Sequence, residues 1–314
     1  MKLVLFNPDP AGDPKQIKFG ILTNDSVVDA QPAVEHFRAG SPQQLMEFII
    51  GEFESLRPDL EHLIDAGRDI PISDVKLLPP LPRPGKILCC IGNYWEHMQR
   101  EPRELNMFLK NPDAVIGQGG TVVLPRNTSP YVFQHEAELA IVIKGPAKGL
   151  DESNYATGIF GYTCLVDVSA RVQGRSTWRS GSWMGKSFDT FAPLGPCIVT
   201  ADEIPDPNAL AVKFWNNGDL RHDYTTEDME HRVPELIAFA TSIMTLYSGD
   251  LISCGTNHEG LGPLQDGEVG EIQIQGIGSL SFKVADPLKR SWERGIYMGP
   301  TSTAPAAREL ADNK

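Results

Sequence analysis

Two acids two residues apart open the chemistry of this chain, in Gln134-His-Glu-Ala-Glu-Leu-Ala-Ile-Val-Ile143. In a strand, the period of two puts Ala137, Leu139, Ile141 and Ile143 on one face and Glu136, Glu138, Ala140 and Val142 on the other. The two carboxylates then project side by side, roughly 6 to 7 Å apart, and need either solvent or a divalent cation between them. Alone, the segment reads as an exposed edge strand with two solvated glutamates. A third acid changes that reading. Tyr162-Thr-Cys-Leu-Val-Asp-Val168 is a strand pattern whose one charge is Asp167. Aspartate is a poor strand residue, and a buried one is nearly always paired. Glu136, Glu138 and Asp167 together make an all-oxygen donor set suited to a hard cation, Mg2+ or Mn2+. Arg171 follows four residues after Asp167, and Lys186 comes soon after.

Histidines supply candidate bases. His97 has Glu96 beside it and Glu101 four residues on, and a carboxylate-oriented imidazole is a usable general base near neutrality. His258, in Gly255-Thr-Asn-His-Glu-Gly260, is a second candidate on a loop, whereas His36, His62 and His231 have no notable company. Gly185-Lys186-Ser187 ends like a phosphate-binding loop, but Ser180 stands where that motif needs a glycine. Trp178 and Trp183, between Arg171 and Lys186, are placed to line an aromatic pocket or simply to pack.

The elements that must hold these residues are mostly strands. Lys86 to Ile91, Thr121 to Leu124, Ala137 to Ile143, Tyr162 to Val168 and Gly195 to Val199 are rich in β-branched residues and bounded by turn formers. Ala211 to Trp215, Asp250 to Cys254, Glu271 to Gln275 and Leu280 to Val284 continue the pattern, with Asn217-Gly218 as a hairpin turn. One helix begins near Pro234, with Leu236, Phe239, Ala240, Ile243 and Met244 at helical spacing. Without regular strand–helix alternation, a doubly wound sheet is disfavoured, and an α+β fold built on a β-rich mixed-sheet sandwich or roll is expected. Ahead of it, residues 1–80 read as a small N-terminal α/β module. Its strands are Lys2 to Phe6, Phe19 to Leu22 and Ser26 to Asp29, and its helix is capped at Ser41-Pro42 with Leu45, Phe48 and Ile49 on one face. The proline-rich Leu78 to Gly85 marks the boundary, residues 81–287 form the catalytic part, and 288–314 form a surface-running tail.

Composition sets the partners. The 314 residues carry 41 acids against 28 Lys and Arg, a formal charge of −13. That sign repels nucleic-acid phosphates and anionic headgroups, so neither nucleic acid nor a membrane surface is an expected partner. An anionic substrate therefore requires local positive charge at its site. No apolar run approaches the roughly 18 residues of a membrane span, the N-terminal apolar run is too short for a signal peptide, and a cytoplasmic protein is expected. Five cysteines without a C-x-x-C pair argue against a disulfide framework or a thiolate zinc site.

Taken together and in order, these segments resemble the fumarylacetoacetate hydrolase superfamily over about Lys86 to Pro287. The resemblance rests on Ile91-Gly-Asn-Tyr94 with His97, Phe108-Leu-Lys110, Glu136-x-Glu138-Leu139, Asp167-Val-Ser-Ala-Arg171, Gly185-Lys-Ser-Phe-Asp-Thr190, Asn217-Gly218, Gly249-Asp250 and Gly255-Thr256. It implies that Glu136, Glu138 and Asp167 bind Mg2+ or Mn2+, and that Lys110, Arg171, Lys186 and Thr256, with Asn257 beside it, hold a small anionic oxo-acid. It also implies that His97 matches the lid histidine that activates water, and that the chain forms a homodimer. Arg100 stands where acylpyruvate-hydrolysing relatives place a glutamate, so Glu101 or Glu96 would have to assist His97. The implied reaction is hydrolysis of a C–C bond in a 1,3-dicarbonyl acid, with Lys186 stabilising the enolate. Decarboxylation, isomerisation or hydration of an oxo acid at the same site is the alternative.

Overall fold

The structure is a computed structural model, and it describes residues 1–10, 16–67, 69–96, 100–172, 177–179 and 183–294. Among these, one mixed sheet of twelve strands runs through the molecule. Its centre is the antiparallel set Ala192–Thr200, Ile159–Val166 and Ala137–Ile143, continued by Leu251–Ser253, Ile87–Cys90 and Met107–Lys110. On the other side Lys2–Asn7 pairs with Ala192–Thr200, Lys2 opposite Val199, so the strands of the N-terminal module extend the same sheet. A second sheet of five strands, Asp219–Thr225, Ala211–Asn216, Val269–Ile274, Gly278–Ala285 and Thr121–Val123, packs across one face. The strand-rich mixed α+β architecture expected from the sequence is the one observed.

Period-two alternation explains why the large sheet is covered twice. Leu139, Ile141 and Ile143 join Val212, Phe214, Ile272 and Phe282 in a core between the two sheets. Ala140 and Val142, one residue out of phase, join Met46, Ile49, Ile50 and Phe53 in a second core under two helices, Pro42–Gly51 and Phe53–Asp65. Every residue of Ala137–Ile143 is buried, so the exposed edge strand that Glu136 and Glu138 suggest by themselves is corrected to a strand in the middle of a covered sheet.

Helix positions hold while helix faces rotate. Ser41 caps Pro42–Gly51, its hydroxyl accepting from the Gln44 N–H at 3.2 Å, but the buried apolar side is Met46, Ile49 and Ile50, with Phe48 36% exposed. In Val233–Ile243 the buried side is Val233, Leu236, Ile237, Ala240 and Thr241, and Ile243 is 59% exposed. Both helices carry apolar residues over more than one face, and the sheet each one meets selects which is used. The start of the expected tail is docked: Arg290 ion-pairs with Asp286 at 2.8 Å and donates to the carbonyls of Thr128 (2.7 Å) and Pro125 (2.9 Å). Residues 295–314 lie outside the described residues.

Close packing at the centre of the sheet gives a direct test. A Cβ added at Gly161 would lie 2.1 Å from the Val199 carbonyl oxygen. Both atoms belong to strand backbones that cannot yield independently. Gly161→Ala should therefore lower stability by about 3 kcal/mol, read from the midpoint of urea unfolding. An unchanged midpoint would show that the strands are not in this contact.

Candidate metal centre and its surroundings

Strand register brings the three acids together. Ala137 lies opposite Val166 and Glu138 opposite Leu165, so Glu136 and Asp167 sit at one end of the same strand pair. The Asp167 N–H donates to the Glu136 carbonyl at 2.8 Å, fixing the two backbones just beyond the last ladder pair. One carboxylate oxygen from each of Glu136, Glu138 and Asp167 lies within 4.8 Å of the others, and all three residues are buried. Asp167 is the first residue after the strand rather than its sixth member, which frees its side chain from the alternation of Ile159–Val166.

Three buried cations answer two of the three acids. Lys110, at the end of the outermost strand Met107–Lys110, reaches Asp167 Oδ1 at 2.7 Å and also bonds the Lys186 carbonyl. Lys186, in the short helical turn Met184–Lys186, donates to Glu136 Oε2 (2.7 Å), Asp167 Oδ2 (2.5 Å) and Ser169 Oγ (2.7 Å). Arg171 ion-pairs with Glu136. Glu138 has no lysine or arginine within ion-pair distance among the described residues. It accepts instead from Ser253 Oγ (2.5 Å) and the Gly255 N–H (2.9 Å). Gly255 has φ +83°, a left-handed conformation that a glycine adopts without strain.

This asymmetry shapes the electrostatics. Burial pushes the Glu136 carboxyl up, but Arg171, Lys186 and His258 outweigh it and hold the group well below the usual carboxylate range. Burial pushes Glu138 up as well, and the neighbouring charges of Asp167 and Glu136 reinforce it, so its pKa is pushed up to about 8. Burial would lower the Lys186 ammonium, but Asp167 and Glu136 raise it above its ordinary value. The set fits a divalent cation: hard oxygen donors, close together, with one carboxylate awaiting a positive charge.

The other expected site residues fall into different places. Thr256 is buried, with its hydroxyl on the Asn257 carbonyl at 3.3 Å and near the Tyr224 hydroxyl. The Asn257 amide is turned to Asp228 Oδ2 at 3.0 Å, so it braces its loop. Glu101 is exposed, and its carbonyl accepts from Arg100. Arg100 itself pairs with Glu230. His97 lies outside the described residues. Glu96 is 3% exposed and joins His258, accepting from its backbone N–H at 3.0 Å and lying against its Nδ1. Trp183 stacks on Phe108 with ring centroids 4.6 Å apart, and the Lys186 ammonium lies 5.5 Å from the Phe108 ring. All five cysteines are buried and unpaired.

Several participants escape a sequence reading. Ser169 and Ser253 are ordinary strand residues until register places them on the acids, although Ser169 stands two residues from both Asp167 and Arg171. His135 and His222 form a buried pair, Nδ1 to Nε2 at 3.0 Å, with His135 stacked on Phe214 at 4.2 Å between centroids. Burial holds both neutral, with His222 pushed down to about 3.

Comparison with known proteins shows the family. The family model described as fumarylacetoacetate (FAA) hydrolase C-terminal matches residues 86–285. A maleylpyruvate hydrolase from Aquipseudomonas alcaligenes is 30% identical over 301 residues, covering 90% of this chain and 99% of its own. A mitochondrial oxaloacetate tautomerase, FAHD2B, from Bos taurus is 31% identical over 301 residues, covering 90% and 91%. The crystal structure of maleylpyruvate hydrolase from Sphingobium sp. SYK-6 in complex with manganese(II) and pyruvate superposes with TM-score 0.79 at 33% identity, covering 91% of this chain and 99% of that one.

The raised Glu138 carboxyl sets a competition between proton and cation. Below about pH 8 the metal-free site holds a proton on Glu138 that a cation must displace. Calorimetry at pH 6 to 7 in buffers of differing ionisation enthalpy should show about one proton released per Mn2+ bound, and affinity should rise with pH until about 8. Because this carboxyl lies above its unfolded value, the metal-free protein gains stability from it at low pH and loses that gain as pH rises from about 4.5 towards 8. Glu138→Gln should remove the proton release. Binding without proton release in the unaltered protein would contradict a raised Glu138 carboxyl.

Proposed function

Because the chain belongs to the fumarylacetoacetate hydrolase family, we propose that it is a metal-dependent enzyme that hydrolyses a C–C bond in a 1,3-dicarbonyl acid of the acylpyruvate type. The observation that carries this reading is the buried set of Glu136, Glu138 and Asp167 ringed by Lys110, Arg171 and Lys186. Three carboxylates against three cations sum to zero, and a dication brings the site to a net positive charge that suits an oxo-acid anion. The pyruvate and manganese in the structurally similar maleylpyruvate hydrolase support the same substrate class and an ion of the Mg2+ or Mn2+ type.

Bound to Glu136, Glu138 and Asp167, the cation supplies Lewis acidity toward adjacent carbonyl and carboxylate oxygens. Lys186, held by Glu136, Asp167 and Ser169, keeps an ammonium beside the site to stabilise negative charge that develops on the substrate oxygens. Arg171 offers a guanidinium for the substrate carboxylate while its pairing with Glu136 fixes its direction. His97 takes a proton from the attacking water. The exposed position of Glu101 favours Glu96 as the carboxylate that serves the site's histidines.

The same residues serve a second reaction. Keto–enol exchange of an oxo acid requires carboxylate binding, oxygen polarisation and proton transfer but no water. The 31% identity to an oxaloacetate tautomerase along 301 residues is the observation that keeps this reading.

Product mass separates them. Incubation with acylpyruvates, a fumarylpyruvate-like diacid and oxaloacetate, with Mg2+ and with Mn2+, should give two fragments with water added. Unchanged mass would assign a tautomerase or isomerase, and loss of carbon dioxide a decarboxylase. Chelator dialysis should abolish turnover and either ion should restore it; undiminished turnover after dialysis would remove the metal from the reaction. His97→Gln should lower hydrolysis by about 100-fold or more with Mn2+ binding intact, and full activity would move the base elsewhere.

A further inference from the structure

We propose that His258, aimed by Glu96, is the acid–base residue that exchanges a proton with the substrate carbon, a role separate from water activation by His97. The inference rests on the oxo-acid reading above and adds a residue to it.

Glu96 receives two contacts from one residue, the backbone N–H of His258 at 3.0 Å and its ring nitrogen Nδ1. An ionised carboxylate only accepts, so Nδ1 carries the hydrogen, and proton exchange with a substrate falls to Nε2. Both partners are fixed on a common support. The Glu96 N–H donates to Asp228 Oδ2 at 3.1 Å, the Trp95 N–H donates to the Asp228 carbonyl at 3.0 Å, and Asn257 Nδ2 donates to the same Asp228 carboxylate at 3.0 Å. Asn93, three residues before Glu96, ties its own amide to the carbonyls of Cys254 and His231, each at 3.0 Å. The carboxylate and the imidazole therefore cannot drift apart without breaking this junction.

Glu96 is also held at φ +54°, a left-handed conformation that a non-glycine residue adopts only at a cost. Such strain persists only where surrounding contacts over-determine it, and it clusters at working sites. The loop that presents His258 begins on the acid triad itself, with Gly255 donating to Glu138 three residues earlier. A carboxylate-oriented imidazole thus stands on the loop that Glu138 anchors at Gly255, three residues from that contact.

The step balances. In hydrolysis the water oxygen bonds the attacked carbonyl carbon, the water proton passes to His97, and the C–C bond breaks with its electron pair left on the pyruvyl carbon as an enolate. The Nε2–H of the His258 imidazolium then breaks, its proton forms the new C–H bond, and the enolate oxygen returns to a carbonyl. His97 and His258 recover their starting states by proton exchange with solvent. In the reverse sense, neutral His258 removes a proton from the same carbon, which predicts hydrogen exchange at the methyl group of free pyruvate.

That exchange is the test, followed by mass spectrometry in D2O with Mg2+. The unaltered enzyme should label the pyruvate methyl group, His258→Gln should slow labelling by about 100-fold or more, and Mn2+ affinity by calorimetry should stay within twofold. Glu96→Gln should lower kcat for labelling by about tenfold with little change in KM, and Glu96→Asp should recover part of it. In the metal-free protein, a far-downfield Nδ1–H proton resonance should be present and should vanish in both His258→Gln and Glu96→Gln. Labelling by His258→Gln at the unaltered rate, with that rate metal-dependent, would overturn the role of His258 and leave the oxo-acid reading standing. No labelling of pyruvate or oxaloacetate by the unaltered enzyme with either ion would overturn both.

Discussion

Burying three carboxylates within 4.8 Å of one another is the constraint around which this molecule is built. Each would cost several kcal/mol to take out of water unpaired, and their mutual repulsion adds to that cost. Lys110 and Lys186 offset the charge of Asp167, and Arg171 and Lys186 that of Glu136. Glu138 receives only a hydroxyl and a backbone N–H among the described residues. The protein thus leaves one carboxylate short of a positive partner among the described residues, and a divalent cation would supply it. Asp167 and Glu136 each keep a cation of their own and share Lys186, which is why the acids and their partners must be treated as one unit.

That unit dictates the architecture. Its residues come from the middle of the large sheet, from its last strand, and from a short helical turn, so the sheet must be rigid across its whole width. Rigidity follows from coverage: the five-stranded sheet buries one face and the helices Pro42–Gly51 and Phe53–Asp65 bury the other. The N-terminal strands do more than append a module, because Lys2–Asn7 hydrogen-bonds to Ala192–Thr200 and their helices cover the face that carries Ala140 and Val142. Precision in the site is thereby placed on strands, while Glu96, Gly255 and His258 stand on segments tied together through Asp228 and Asn93.

How much of this could be read from the chain depends on the range of the forces involved. The acid triad was legible because alternation fixes which side of a strand a residue faces, and because Asp167 is anomalous in an apolar strand. Lys110 came from ordered motifs rather than from local physics, since nothing near Met107–Lys110 reveals that it lies beside Asp167, whereas Arg171 was visible four residues after Asp167. Ser253 and Gly255 were silent for the same reason: their contacts with Glu138 span more than a hundred residues. Glu101 and Glu96 were equivalent in sequence, both close to His97, and only the fold separates an exposed side chain from a buried one. The two misread helix faces show the limit within an element. Periodicity gives a helix, but when Leu45, Met46, Phe48, Ile49 and Ile50 are all apolar, the buried stripe is chosen by the surface it meets.

The surplus of acids also resolves into two length scales. A chain of −13 repels a small anion at long range, yet at physiological ionic strength exposed charges are screened beyond about 8 Å. Lys110, Lys186 and Arg171 are buried, where mobile salt screens less than at the surface, so they act at short range together with the carboxylates they pair with. The field of exposed charges falls away within a few water diameters, leaving the local balance of acids, lysines and arginine to set the potential at the acid cluster. A dication held by Glu136, Glu138 and Asp167 would tip that balance positive, and the proposed oxo-acid anion would then meet a local charge opposite to the overall one.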